Sequence, residues 1–162
     1  MFEDKKKVVE AYLEAVHGSE SDIWSAIVRY WHEDAYWKLI GTTPRSGTFR
    51  GLEAIKRDFF GPGRKGDGRE GPSVQGLSSE YPVTMTTDEI VAMEDGRIVV
   101  FCSSDARGRN GLPYQNEYCW VFEVEGDKIA GLVEFCDTVA IEEVHFDKKL
   151  VPRGTTKAVY ET

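Results

Sequence analysis

The sequence predicts a single α+β domain, three N-terminal helices followed by an antiparallel sheet. Three observations predict it. Apolar residues before Gly61 recur at helical spacing, those after Ser78 alternate over four β-segments separated by turn signals, and neither an internal repeat nor an interdomain linker divides the chain. At 162 residues the chain fits one domain, able to bury about two thirds of the surface its unfolded form exposes.

The first helix is read from Val8, Val9, Tyr12, Leu13 and Val16, which share one face, with Gly18 as its stop. Ser21 or Asp22 caps a second helix with an apolar stripe of Trp24, Ile27, Val28 and Trp31, ending at His32, Glu33 and Asp34. A short strand follows at AYWKLIG. The segment from Gly41 to Gly51, GTTPRSGTFRG, is dense in turn formers, and LEAIKRDFF after it is a third helix ended by Gly61, Pro62 and Gly63. From Gly61 to Gly71 the chain is polar and glycine-rich, and reads as a mobile surface loop beside or over the pocket mouth.

The β-segments run from about Ser78 to Met93, Arg97 to Arg107, Tyr114 to Val124 and Lys128 to Thr138. The turn signals between them, such as Glu125-Gly126-Asp127, imply an antiparallel meander. Asp137 caps a last helical stretch from Val139 to His145. The domain therefore occupies residues 1–145, and residues 146–162 form an irregular tail.

Composition narrows the function classes. Hydrophobic residues make up 41% and charged residues 30%, ordinary for a globular protein, and the net charge of −8 is repelled by phosphate backbones and anionic lipid. Nucleic acid and membrane are not expected as partners. No run approaches the ~20 apolar residues of a membrane span. The opening MFEDKKKVVE carries charge where a signal peptide needs an apolar stretch, so a cytoplasmic location is expected. Cys102, Cys119 and Cys136 show no CxxC spacing and fall inside apolar runs, so they read as core residues; neither a metal nor a cofactor is expected.

Two segments carry a resemblance: WHEDAYWKLIGTTPRSGTFRGLEAI, from Trp31 to Ile55, and YQNEYCWVFEVEGDKIAGLVEFCDT, from Tyr114 to Thr138. With the first helix they make the chain resemble the nuclear transport factor 2-like superfamily, which implies the cystatin-like cone, a curved antiparallel sheet wrapped around three N-terminal helices with an internal pocket. That group includes ketosteroid isomerase, limonene epoxide hydrolase and the SnoaL-like polyketide cyclases. Its motifs encode turns and strand pairing more than chemistry, so function must come from the site. Against the isomerase, Tyr12 corresponds to the oxyanion tyrosine, whereas Lys38 or Leu39 and Trp120 stand where carboxyl groups would be. Against the epoxide hydrolase, Asp105 and Glu134 fall at the two carboxylates, Ser103 replaces the bridging arginine, and Trp37 replaces a water-positioning tyrosine.

Strand alternation gives a second line of argument, because residues two apart share a face. In the third β-segment Tyr114, Asn116, Tyr118, Trp120 and Phe122 are expected to look inward. In the second, Val99, Phe101, Ser103, Asp105 and Arg107 share a face that grows polar towards its end, fitting an apolar floor and a polar rim. In the fourth, Leu132, Glu134 and Cys136 share a face. The expected catalytic set is therefore Glu134 and Asp105, with Tyr118 and Tyr12 as hydroxyl donors. The expected ligand-binding set is Trp37, Phe101, Ser103, Asn116, Trp120 and Leu132.

The bland alternatives are that Asp105 is a hairpin-end residue paired with Arg107 or Arg109, and that Glu134 is a solvated strand charge. The enzymatic reading is acid–base chemistry on a small hydrophobic carbonyl, polyketide or terpenoid-like molecule; the alternative is a binding protein using the same cone without turnover. On the assigned outer face, Ile98, Val100 and Cys102 with Val133 and Phe135 are apolar, which predicts a homodimer through that face.

Overall fold

Helix α1, Phe2–His17, buries Val9, Tyr12 and Leu13 and places Glu3 and Asp4 in its first turn, where acidic groups favour the helix dipole. Helix α2, Ile23–Tyr30, buries Ala26 and Ile27. Trp31, which the helical stripe would include, instead opens strand β1, Trp31–Leu39, where it pairs with Ile129. The turn-rich segment contains a further short strand, β2, Gly47–Arg50, and the third helix is a single α-turn, α3, Leu52–Ala54, running on as a wider π-helical turn, Ile55–Phe60. The computed structural model describes residues 2–17, 23–60, 76–78, 80–81 and 83–151. The Gly18 stop, the Ser21 or Asp22 cap, the loop from Gly61 to Gly71 and most of the tail lie outside the described residues.

The four β-segments appear as β3 Thr84–Ala92, β4 Ile98–Arg107, β5 Pro113–Glu125 and β6 Lys128–Cys136, an antiparallel meander. The six-stranded sheet runs β2-β1-β6-β5-β4-β3. Within the expected α+β cone one pairing is parallel, because β1 lies alongside β6 in the same direction and brings Trp37 beside Leu132 and Leu39 beside Glu134. The sheet ends in α4, Thr138–Ala140, followed by a π-helical turn, Ile141–His145. As expected, the Asp137 side chain caps it, accepting from the Val139 amide at 2.9 Å.

The concave face of the sheet packs against α1, α2 and the π-turn after α3. Across β4 and β5 it is set by register: Val100 lies opposite Trp120, Cys102 opposite Tyr118 and Ser104 opposite Asn116, and directly opposed residues share a face. Ile98, Val100, Cys102, Ser104 and Ala106 are all buried on that side.

This corrects the parity expected for β4. Phe101, Ser103 and Asp105 lie on the convex face, while Ile98, Val100 and Cys102, expected outside, are core. Apolar residues occupy both faces of β4, so alternation alone does not say which face is buried; the hairpin register with β5 does. Cys102 and Cys136 consequently share the concave face, whereas their assigned parity had separated them.

The core centres on an aromatic stack. Trp37 is sandwiched between Trp31, with ring centroids 5.3 Å apart, and Phe59, at 4.5 Å, and meets Phe60 edge-on at 5.5 Å. Such offset and T-shaped contacts add to the burial of large apolar rings and hold the indole in one orientation. That orientation aims its N–H at β6.

Candidate functional site

Glu134 stands on β6 between Leu39 of β1 and Trp120 of β5, on the concave face, and is only 6% exposed. Trp37 Nε1 donates to its Oε2 at 2.7 Å. Burial pushes the Glu134 carboxyl up to about 7, against the indole bond and the positive charge of Arg45, which both favour the ionised form. A carboxyl that titrates near neutrality can both take and return a proton.

Arg45 reaches the same region from the turn before β2. That turn is tied internally: Ser46 N donates to Thr43 O at 2.9 Å, and Ser46 Oγ donates to Ile40 O at 3.0 Å. Arg45 is 9% exposed, and its guanidinium lies over the Phe59 ring at 4.6 Å. Its Nη2 donates to Phe59 O at 2.9 Å and its Nη1 to His145 Nδ1 at 3.0 Å. His145 is held neutral, its pKa pushed down to about 3 by burial and by the neighbouring guanidinium. Its ring packs on that of Tyr114, with centroids 4.7 Å apart.

A hydroxyl chain crosses the sheet beside these groups. Tyr118 donates to the Tyr114 hydroxyl at 3.1 Å, and Ser104 Oγ lies 3.0 Å from the Tyr118 oxygen. Because the Tyr118 proton is committed to Tyr114, Ser104 is the donor to Tyr118. Asn116 Nδ2 also donates to Tyr114 at 3.0 Å. Tyr114 thus receives two hydrogen bonds, which fills its acceptor capacity and leaves its own O–H to donate. Burial pushes the Tyr114 hydroxyl up to about 12 and the Tyr118 hydroxyl further, so both remain protonated donors. The buried Trp120 Nε1 has no partner among the described residues.

Of the residues expected from sequence, Glu134, Tyr118, Trp37, Asn116, Trp120 and Leu132 share the concave face with this cluster. Asn116 serves structure there: its Nδ2 donates to Asp137 O at 3.0 Å and its Oδ1 accepts from Asp137 N at 2.9 Å, fixing the end of β6 to β5. Tyr12 sits in the core, edge-on to Tyr30, Trp31 and Phe122.

Asp105 does not join Glu134. It is exposed on the convex face with its Oδ1 3.5 Å from Gln115 Nε2, and Phe101 and Ser103 share that face, Phe101 being 43% exposed. The raised titration of Glu134 therefore comes from burial, not from a second carboxylate, and a cation, Arg45, does stand in its field. Sequence reasoning missed Arg45, His145 and Ser104 as site residues and placed Tyr114 on the face without a role. The TTPRSG turn was the one signal pointing to Arg45. Among the described residues no group of three or more His, Cys, Asp or Glu side chains could hold a metal ion, and no helix is long and apolar enough to cross a membrane.

A curved, unclosed sheet backed by N-terminal helices, with a buried carboxyl and hydroxyl donors on its concave face, defines a protein of the nuclear transport factor 2-like class. The model of the SnoaL-like domain family matches residues 9–132, and the chain belongs to that family. A search of curated proteins found no match.

Among solved structures, the chain is similar to Bal32a from a soil-derived mobile gene cassette, with 22% identity, 88% of this chain and 97% of that one covered, and a TM-score of 0.67. It is similar to a nuclear transport factor 2-like protein from Burkholderia thailandensis, with 18% identity, 86% and 95% covered, and a TM-score of 0.65. It is also similar to TerC, crystallised with polyporic acid, with 19% identity, 88% and 98% covered, and a TM-score of 0.65. At these identities the likeness shows the fold.

Proposed function

We propose that the protein is an acid–base enzyme acting on a small, largely apolar carbonyl compound of polyketide or terpenoid type, with Glu134 as the proton-transferring group. The observation that carries this reading is a carboxyl, the one buried among the described residues, on the concave face, raised to about 7 and oriented by Trp37. Groups with matched pKa and fixed geometry are what general acid–base catalysis requires. In the reaction, ionised Glu134 removes a proton from carbon beside the carbonyl; the C–H electron pair forms the enolate, whose oxygen takes a hydrogen bond from the spare Tyr114 O–H. Tyr118, donating to Tyr114, and Ser104, donating to Tyr118, strengthen that donor as charge develops. Protonated Glu134 then returns the proton to the same or another carbon. The co-crystallised polyporic acid of TerC adds support for an apolar, oxygen-bearing ligand.

The test works whatever the overall reaction is. A panel of apolar ketones and polyketide-like compounds is incubated with the protein in deuterium oxide, and exchange at carbon is followed by NMR. Acceleration by the wild type and not by Glu134→Gln supports the proposal; equal acceleration by both removes it. Binding without exchange for every compound favours the alternative of a binding protein.

The convex face supports a homodimer. Register aligns Val91, Val99, Val121 and Val133 in one row across β3 to β6, and Phe101, Cys119 and Phe135 in the next. Phe101 and Phe135 are 43% and 44% exposed. Such contiguous apolar rows are covered when two copies pack the same face isologously. Sedimentation at micromolar concentration should give a dimer, and Phe101→Glu combined with Phe135→Glu should give a folded monomer. A monomeric wild type contradicts the dimer.

A further inference from the structure

We propose that Arg45, oriented by His145, forms an anion-binding subsite on the concave face, so that the ligand carries an ionised oxygen group on its apolar body. This rests on the reading that the concave face receives a small molecule, and it names the charge of that molecule.

Three features of Arg45 carry it. The guanidinium is buried, yet among the described residues no carboxylate lies within ion-pairing distance of it; its two acceptors, Phe59 O and His145 Nδ1, are both neutral. Glu134 acts on it through its field and not through a direct ion pair, and a buried charge without a contacting counter-ion is costly. Its Nε has no partner among the described residues. Its backbone is fixed by a bonded turn, since Arg45 N also donates to Thr43 Oγ1 at 3.2 Å, so the chain itself holds the position.

His145 fixes the orientation of the guanidinium. Arginine can only donate, so His145 Nδ1 is the acceptor and the imidazole proton resides on Nε2. That Nε2 is buried and also has no partner among the described residues. His145 receives Nη1 and so leaves the opposite, Nε edge of the guanidinium unpartnered, and that edge is where a delocalised oxygen anion fits. Bidentate recognition of planar oxyanions is what the guanidinium fork favours. The carboxylate and the ionised enol of a dicarbonyl compound share this chemistry.

Both sources are tested by pairs of probes differing in charge and little in shape. Calorimetric titration at neutral pH compares naphthalene carboxylate with naphthalene carboxamide, and hydroxynaphthoquinone, ionised as its enolate, with methoxynaphthoquinone. Wild-type protein is expected to favour at least one anion over its neutral partner by roughly tenfold or more. Preference in the first pair assigns a carboxylate, and in the second an ionised enol. Arg45→Gln should lose the preference, and Arg45→Lys, keeping the charge without the fork, should retain part of it.

If Arg45→Gln fails to fold by circular dichroism, the wild-type comparison and Arg45→Lys decide. Equal affinity within both pairs, no binding of any probe at millimolar concentration, or full preference in folded Arg45→Gln overturns the proposal. Glu134→Gln separates this claim from the acid–base reading: removing a negative charge beside the subsite should leave anion preference intact or raise it. Anion preference without proton exchange at carbon sustains the subsite while removing the enzymatic reading.

Discussion

Glu134→Gln is expected to lose proton transfer and, at the same time, to make the fold more stable above neutral pH. The loss follows from the role: an amide cannot take a proton from carbon, and positioned acid–base groups contribute roughly a hundred- to ten-thousand-fold in rate. The gain follows from linkage. The Glu134 carboxyl is raised from 4.5 to about 7 in the folded protein, so between those values the folded state holds a proton that the unfolded chain has released.

The sign is therefore that of a group with a raised pKa. Its protonated form stabilises the fold fully below about 4.5, and that contribution is lost as pH rises through about 7. The loss is on the order of 3 kcal/mol, at ~1.36 kcal/mol for each pKa unit. The amide of Glu134→Gln would keep an acceptor for the Trp37 indole without ever ionising, so the variant should show no such decline. Urea unfolding across this pH range checks it; parallel stability curves for the two proteins would contradict the assignment.

Gly76→Ala is expected to dislodge the segment that carries His145. A Cβ at this position would lie 2.5 Å from His145 Cα and 2.7 Å from its carbonyl oxygen, and the backbone there has φ of +87°. Neither contact is a side-chain tip that can swing aside; the clash is with backbone. Left-handed strain for a residue with a Cβ costs about 1–2 kcal/mol and overpacking about 1–3 kcal/mol, so a destabilisation of roughly 3 kcal/mol is expected. Relief requires the turn Ile141–His145 to move away from Gly76, which removes the acceptor from Arg45 Nη1. Thermal unfolding reports the first effect, and loss of anion preference in the refolded variant reports the second. A melting temperature equal to wild type would contradict the close approach.

Local pattern made much of this architecture legible. Helical spacing in α1 and turn signals such as that at Gly126 mark elements whose boundaries depend on neighbours in sequence. The inward aromatic face of β5 and the inward Glu134 were legible because one face of each strand differs in chemistry from the other. On β4 both faces are apolar, with Val99 and Phe101 against Ile98 and Val100, so the pattern is nearly symmetric and a shift by one residue exchanges inside for outside. Only pairing with β5 breaks that symmetry, and it removes Asp105 from the site.

The parallel contact of β1 with β6 joins residues nearly a hundred positions apart, and nothing local encodes it. Arg45 was hidden for a related reason. Its turn reads as a surface connection, and its burial depends on Phe59 and on His145, a residue near the far end of the domain. The polar chain Ser104, Tyr118 and Tyr114 likewise exists only through register between adjacent strands.

The most direct test of the central claim is the titration of Glu134 itself. Protein carrying carboxyl-labelled glutamate is titrated by carbon NMR, with Glu134→Gln used to assign the resonance. A midpoint near 7 is predicted. A midpoint in the ordinary carboxylate range, near 4.5, would show Glu134 to be a solvated strand charge and would contradict the account.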